Sequence, residues 1–297
     1  MGTIHRSRHM KISVVVALSF SLPVVGCAAT SDEEVGVSSA KLSSSNENSA
    51  IRYENESYED AARRHEERFR KNHPNVRQDL AGTAQGNQVA VDKADLSKIP
   101  IWDDADIKTH FEKSRDLRFM TTSSRPSFQR RISWLYPDDG CFARAELVNA
   151  KAEEWGHTRP YRLFAFGNLT VQTNNSPSGH VNWWYHTVPV VKSASSQEVL
   201  VLDAAIDPKA PIPWKTWLLF QVSQLSDVKV AVCDGNTYVP SSACFGSSPP
   251  TSTAESDETD AYLQYEWDRQ VTLDRDPNKV LGDAPPWIGA ESALLAK

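Results

Sequence analysis

Apolar and polar positions divide this chain of 297 residues into stretches of different period. The first stretch, residues 12–25, is apolar apart from serines and Pro23, and it follows Arg6, Arg8 and Lys11. Residues 28–50 are mostly Ser, Glu, Asn and Ala, too poor in large apolar side chains to build a core. Residues 53–73 crowd Glu, Arg and Lys around few apolar positions, which predicts a charged helix. It should stop near His73, because Pro74 disfavours helical geometry in the residue before it. Residues 76–97 are polar and contain glycine.

Compact structure is expected from about Ile99. Residues 103–119 read as a helix with Asp103 or Asp104 as N-cap and with Ile107, Phe111 and Leu117 on a buried side. Residues 121–131 read as a polar loop, and 132–136 as a short apolar-aromatic stretch. From Cys141 to Trp155, apolar residues recur at three- and four-residue spacing, with Gly156 where a helix C-cap belongs. Asp138 and Asp139 stand where they can cap that helix, so Cys141 falls on its first turn. Residues 161–166, 169–172, 183–191 and 199–202 are rich in β-branched and aromatic side chains and predict strands. The pattern is α+β, with a helix N-terminus set against an antiparallel sheet. It divides the chain into a leader (1–27), a tether with a possible pro-region (28–95) and a folded domain with a C-terminal extension (96–297). A plain flexible stalk is the alternative for 28–95.

The balance of 32 basic and 38 acidic residues gives a net charge of −6, and no Lys/Arg block stands out. Nucleic acid is therefore not expected as a partner. The eight histidines are dispersed and no Cys/His cluster has metal-ligand spacing, so no metal or other cofactor is expected. The apolar run 12–25 has the length of a signal-peptide core and is short for a membrane span. It ends in Val24-Val25-Gly26-Cys27, which resembles a bacterial lipobox, and Met10 is a plausible start. The expectation is an exported lipoprotein held to a membrane through lipid on Cys27. Because Ala28 rather than Asp follows, the outer membrane is expected. An ordinary secretory signal is the alternative.

Export changes how the remaining cysteines read, since thiols in an oxidising compartment are usually paired. Cys233 and Cys244 flank the turn-like Asp234-Gly235-Asn236 and are expected to form a local disulfide. Cys141 is then left over, and nucleophilic catalysis is a reason for an unpaired thiol. At a helix start, free N–H groups and the helix dipole favour a thiolate and can stabilise an oxyanion. If residues 193–198 join two strands as a hairpin, Lys192 faces Val199 and Val188 faces Asp203. Asp203 then lies diagonal to His186, roughly 7 Å away between Cα atoms, whereas a one-residue slip would place it on the other face. Cys141, His186 and Asp203 are the predicted nucleophile, base and orienting acid. His157 and His180 are weaker candidates for the base. Asn168 and Asn182 are possible helpers. Trp134, Trp183 and Trp184 are expected to wall the substrate cleft, with core packing expected for at least one of them because strand neighbours face opposite sides.

Taken together, Gly140-Cys141-Phe142-Ala143-Arg144-Ala145, Phe166-Gly167-Asn168-Leu169, Trp184-Tyr185-His186 and Leu202-Asp203, ahead of a loop ending in Trp217, resemble the protein-glutaminase family of secreted bacterial deamidases. The resemblance runs from about Trp134 to Trp217. It implies a fold similar to papain and transglutaminase, and hydrolysis of protein-bound glutamine to glutamate and ammonia, with Cys141, His186 and Asp203 in the three roles. It also implies protein or peptide substrates bearing glutamine, and suits a pro-region in 28–95. Phe142 departs from the family pattern, where Tyr is expected, and nothing after about Ser247 matches. The same three residues would also fit a cysteine peptidase or a transglutaminase, and the fold alone would fit a non-catalytic binding lipoprotein.

Overall fold

A computed structural model describes residues 46–76, 79–246 and 252–282. The helices are α1 (Tyr58–Asn72), α2 (Asp104–Asp116), α3 (Cys141–Glu154), α4 (Trp214–Leu219), α5 (Ser252–Thr272) and α6 (Pro277–Leu281). The strands are β1 (Val89–Ala90), β2 (Ile101–Trp102), β3 (Met120–Thr122), β4 (Arg125–Arg130), β5 (Tyr161–Gln172), β6 (His180–Ser193), β7 (Val199–Val201), β8 (Ile212–Pro213) and β9 (Val228–Cys233). Six strands form a sheet in the order β1-β9-β5-β6-β7-β8, with all neighbours in that order antiparallel. The short β2 adds to the end of β6 in parallel. Helix α3 packs on β6, so the expected α+β arrangement holds.

The two long strands form the frame. β5 is continuous through the two predicted pieces, with a bulge between Phe166 and Leu169 that contains Gly167. A Cβ on Gly167 would come within 2.8 Å of the Asp227 carbonyl oxygen, so the close approach of the next strand requires glycine there. α3 ends as the spacing predicts. Gly156 has φ +86°, its N–H bonds to Glu153, and the His157 N–H reaches back to Ala152, the pattern of a glycine C-cap. Cys233 at the end of β9 is bonded to Cys244, as expected, with Cα atoms 4.7 Å apart.

Three expectations need correction. The first concerns where folded structure begins. Residues 1–45 lie outside the described residues, but 46–76 and 79–95 are packed rather than tethering. β6 has 14 residues and β7 only three, so the first half of β6 would be left with unpaired backbone groups. Residues 50–52 supply the partner. Ile51 bridges Trp183 in antiparallel fashion, the Trp184 N–H donates to Ala50, and the Arg52 N–H donates to Asn182. α1, capped by Ser57 through the Asp60 N–H, then covers Trp184 and stacks His65 on its indole at 5.2 Å between centroids. β1 extends the other edge of the sheet along β9.

The second correction is that 121–131 is largely a β-hairpin, β3 with β4, braced against α5 where Asp260 accepts from the Ser123 N–H and hydroxyl. The third is Leu117. α2 starts as predicted with Asp103 as N-cap and buries Ile107 and Phe111, but Leu117 is the C-cap and is 45% exposed.

The packing of 46–95 gives a test. A chain starting at residue 96 is expected to lose about 3 kcal/mol or more of stability in urea unfolding, the cost of uncovering a buried aromatic side chain. Its tryptophan emission should shift to the red as Trp184 meets water. Unchanged stability and emission would make 46–95 a detachable cover.

Candidate active site

The chain reaches the site through a glycine that no other residue replaces without strain. Gly140 has φ +79°, and a Cβ built on it would lie 2.9 Å from the Tyr262 ring of α5. This left-handed residue is the N-cap of α3, and Cys141 is the first residue of the helix. The aspartates do not cap the helix as expected. Asp139 is buried, and its Oδ1 accepts from the N–H groups of Ala50 and Gly140, each at 2.9 Å. Asp138 instead pairs with Arg269 of α5. No side chain caps α3, so its first-turn N–H groups have no side-chain competitor for an anion.

Cys141 is the free cysteine among the described residues and is only 3% exposed. Burial pushes its thiol pKa up to about 12, against the opposing pull of the Arg144 charge and the Thr187 backbone N–H. In this closed state the sulfur is a neutral thiol.

The hairpin register is the predicted one. Lys192 faces Val199 and Val190 faces Val201, and the Leu202 N–H continues the ladder to Pro189. That alignment brings His186 Nε2 to 2.9 Å from Asp203 Oδ2. The same carboxylate accepts from Trp217 Nε1 at 3.0 Å on Oδ2 and from the Ala205 N–H at 3.0 Å on Oδ1. Burial alone would raise the Asp203 pKa, but the bonds from His186 and Trp217 and the nearby charges of His186 and Arg144 outweigh it and hold the group below its usual value. Burial lowers the His186 pKa more than Asp203 raises it, so the ring is neutral near pH 7. With Asp203 ionised, the proton of the neutral ring belongs on Nε2. Nδ1, buried and without a hydrogen-bond partner, is left with its lone pair.

One small cavity, of about 10 Å³, is lined by Trp134, Cys141, Arg144, Ala145, His186–Pro189, Leu202 and Asp203. All three residues predicted to form the triad therefore share it. That volume is on the order of the space one water molecule needs. The predicted tryptophans separate. Trp134 lines the cavity and leaves its buried indole N–H unpartnered. Trp183 stacks on the His186 ring at 4.4 Å between centroids and donates to the Pro137 and Asp138 carbonyls. Trp184 is outside the lining. It donates to the Ser49 carbonyl and packs under α1, because neighbouring residues on a strand face opposite sides. Asn168 accepts from the Tyr58 N–H, Asn182 joins Thr170 and Glu54, His157 stacks on Trp102, and His180 is half-buried at the start of β6, so none of these four lines the cavity.

Two residues were not singled out by sequence reasoning. Trp217 stacks on the other side of His186, at 5.3 Å, besides bonding Asp203. No spacing rule links it to Asp203, since residues 202–213 wander between them. Arg144 follows Cys141 by three positions on a helix, which puts both on one face. That signal was present in the sequence.

Trp217→Phe keeps a ring beside His186 and removes the donor to Asp203. The expected result is a loss of about 1–3 kcal/mol in denaturant unfolding at pH 7, as for a hydrogen bond to a buried charge. The bond favours ionised Asp203, whose folded pKa lies below its unfolded one. The loss should therefore be complete above about pH 4 and shrink as pH falls further, through the folded pKa. A loss that stays constant down to pH 2 would show that packing, not the hydrogen bond, is what Trp217 contributes.

Comparison with known proteins gives the following. Residues 107–220 match the family model described as glutaminase. Among solved structures, a crystal structure of the A47Q2 mutant of pro-protein-glutaminase is 26% identical, with 51% of this chain and 55% of that chain covered and a TM-score of 0.37. The chain thus spans about half the length of that protein. The NMR structure of protein-glutaminase from Chryseobacterium proteolyticum is 25% identical, with 49% and 78% covered and a TM-score of 0.39. A crystal structure of pro-protein-glutaminase is 20% identical, with 69% of each chain covered and a TM-score of 0.40. A search of curated proteins found no match. The segment holding Cys141, His186, Asp203 and Trp217 is similar to the glutaminase family, as its motifs implied.

Proposed function

We propose that this chain hydrolyses the side-chain amide of protein-bound glutamine, giving glutamate and ammonia. The observation that carries the reading is the shared cavity. Cys141, at the first residue of α3, and the hydrogen-bonded His186–Asp203 pair line it together, inside the segment that matches the glutaminase model. The chemistry follows from that arrangement. His186 Nδ1 takes the proton of the Cys141 thiol, and the sulfur attacks the carboxamide carbon. The oxyanion so formed is held by the free N–H groups at the start of α3. His186 returns the proton to the departing nitrogen, ammonia leaves, and a γ-glutamyl thioester remains. Water then gives a proton to His186 and its oxygen to the thioester carbon, and the thiol is restored. Asp203 stays ionised throughout and fixes the imidazole tautomer.

Trp134 is the cleft wall in this reading, and its unpartnered indole N–H is free to meet a substrate carbonyl. Trp183 and Trp217 act on the imidazole rather than on the substrate. A cavity of about 10 Å³ does not hold a carboxamide, so its walls part when substrate binds. The leader reading is also a proposal. Cys27, outside the described residues, carries lipid and anchors the exported protein, with the outer membrane as its destination. Among the described residues no helix is long and apolar enough to cross a membrane.

Incubating the purified protein with a glutamine-containing protein substrate such as casein is expected to release ammonia. Cys141→Ser should lower the rate by at least about a thousandfold, as removal of a triad nucleophile does. New N-termini would identify a peptidase instead, and cross-linked product a transglutaminase. Cys27→Ser is expected to move the protein from the membrane to the soluble fraction without altering the purified domain's rate. A mature wild-type N-terminus other than Cys27, with all protein soluble, would replace the lipid anchor by an ordinary secretory signal.

A further inference from the structure

Arg144 is a buried cation on the wall of the Cys141 cavity, and the reaction scheme above does not use it. It sits one turn along α3 from the sulfur, on the same face. Its Nη1 donates to the carbonyls of Tyr136 (3.1 Å) and Asp139 (2.7 Å), the loop that leads into the helix. Those two bonds fix the plane of the guanidinium. Nη2 is then left buried with no hydrogen-bond partner. An unpaired buried N–H is costly, and Arg144 lines a cavity shared with a thiol, an imidazole and a carboxylate.

We propose that Arg144 is a positioning residue for the Cys141 charge, with Nη2 kept for the anion that forms in the cavity. When the thiol proton moves to His186 Nδ1, the pair becomes thiolate and imidazolium. No net charge is created, but the negative end is placed beside a fixed cation. The other groups facing the sulfur do not do this. Asp139, in the preceding loop, and Asp203, after β7, are anionic and oppose a thiolate. Tyr185 of β6 and Tyr262 of α5 are neutral phenols whose ionisation burial strongly disfavours. His186 is cationic only after it has taken the proton. Thr187 contributes its backbone N–H. Glu266 of α5, across from Arg144, is itself ion-paired with Arg130. Arginine suits the task better than lysine because its fork can bind two carbonyls and still present a free donor.

The competing role is purely structural, in which Arg144 does no more than tie residues 136–139 to the helix. The readout that separates the two is the rate of alkylation of Cys141 by iodoacetamide between pH 6 and 9, with the labelled residue identified by mass and Cys141→Ser as control. Urea unfolding of each variant is measured alongside. Arg144→Met is expected to slow alkylation at least tenfold at every pH in that range, corresponding to a thiol pKa raised by about one unit. Arg144→Lys, which keeps the charge but not the fork, should stay within threefold of wild type. If Arg144→Met does not fold, Arg144→Gln, which keeps an amide donor without charge, takes its place and should be slowed at least tenfold.

A neutral variant within threefold of wild type overturns the proposal. So does Arg144→Lys as slow as the neutral variants, since loop anchoring then explains everything. The inference rests on reading Cys141 as the nucleophile, but it is separable from the choice of substrate. Slowed alkylation in a protein that releases no ammonia would uphold Arg144 and refute glutamine deamidation. Ammonia release with alkylation unaffected would do the reverse.

Discussion

The site depends on keeping one carboxylate charged where water does not reach. Asp203 is buried with the imidazole it holds, and an ion moved into a protein interior loses several kcal/mol of solvation. What offsets that loss is a set of donors drawn from separate parts of the chain. The His186 ring comes from β6, the indole N–H of Trp217 from α4, and the Ala205 N–H from the turn after β7. Each donor needs its element in place. The β6–β7 register sets the histidine, since a one-residue slip would turn it to the other face. The stacked indoles of Trp183 and Trp217 then leave the imidazole little room to rotate.

Cys141 is held by a different constraint, the turn at Gly140. Its left-handed backbone lets the chain enter α3 with no side chain over the first-turn N–H groups, and Tyr262 fills the space that a Cβ would need. α5 is therefore part of the wall behind the site, although it lies outside the segment that matches the glutaminase model. It grips the end of β4 and the loop that follows by three contacts. Arg269 pairs with Asp138, Glu266 accepts from the Leu135 N–H, and Glu266 also pairs with Arg130. From the other end of the chain, Ala50 gives its N–H to Asp139. The loop bearing Gly140 is thus clamped by residues far away in sequence on both sides. Breaking one partner of such a pair would leave a buried charge uncompensated.

How much of this was legible follows from which forces leave a periodic trace. α3 and the β6–β7 hairpin could be read because burial of one face imposes a period on the sequence, and the hairpin loop fixed the register that joins His186 to Asp203. The addition of 50–52 to β6 could not be read. Backbone hydrogen bonds hold it, and Ser49, Ala50 and Ile51 carry no alternation that would distinguish a strand from a tether. The same holds for β3 and β4, where Thr, Ser and Arg pair against α5 rather than against an apolar core. That one of the tryptophans would pack in the core was legible, but a run of two tryptophans says only that one indole faces each side of the sheet, not that Trp184 is the one under α1. Asp139 resembled a helix cap by position, but Gly140 is the N-cap and the Asp139 carboxylate is taken by the N–H groups of Gly140 and Ala50.

The closed cavity and the high thiol pKa belong to one physical state. With about 10 Å³ beside the sulfur, the space suits one water molecule at most, too little to solvate a thiolate as bulk water does, and the proton stays on Cys141. Oxidants and alkylating agents react with thiolates far faster than with thiols, so the closed form protects an unpaired cysteine. Parting the walls admits polar groups and lowers the desolvation cost, which is the largest influence on this thiol. The fixed charge of Arg144 and the open lone pair of His186 Nδ1 act in the same direction as that change. Reactivity is thereby tied to the surroundings of the sulfur, because its burial outweighs the groups that favour the thiolate.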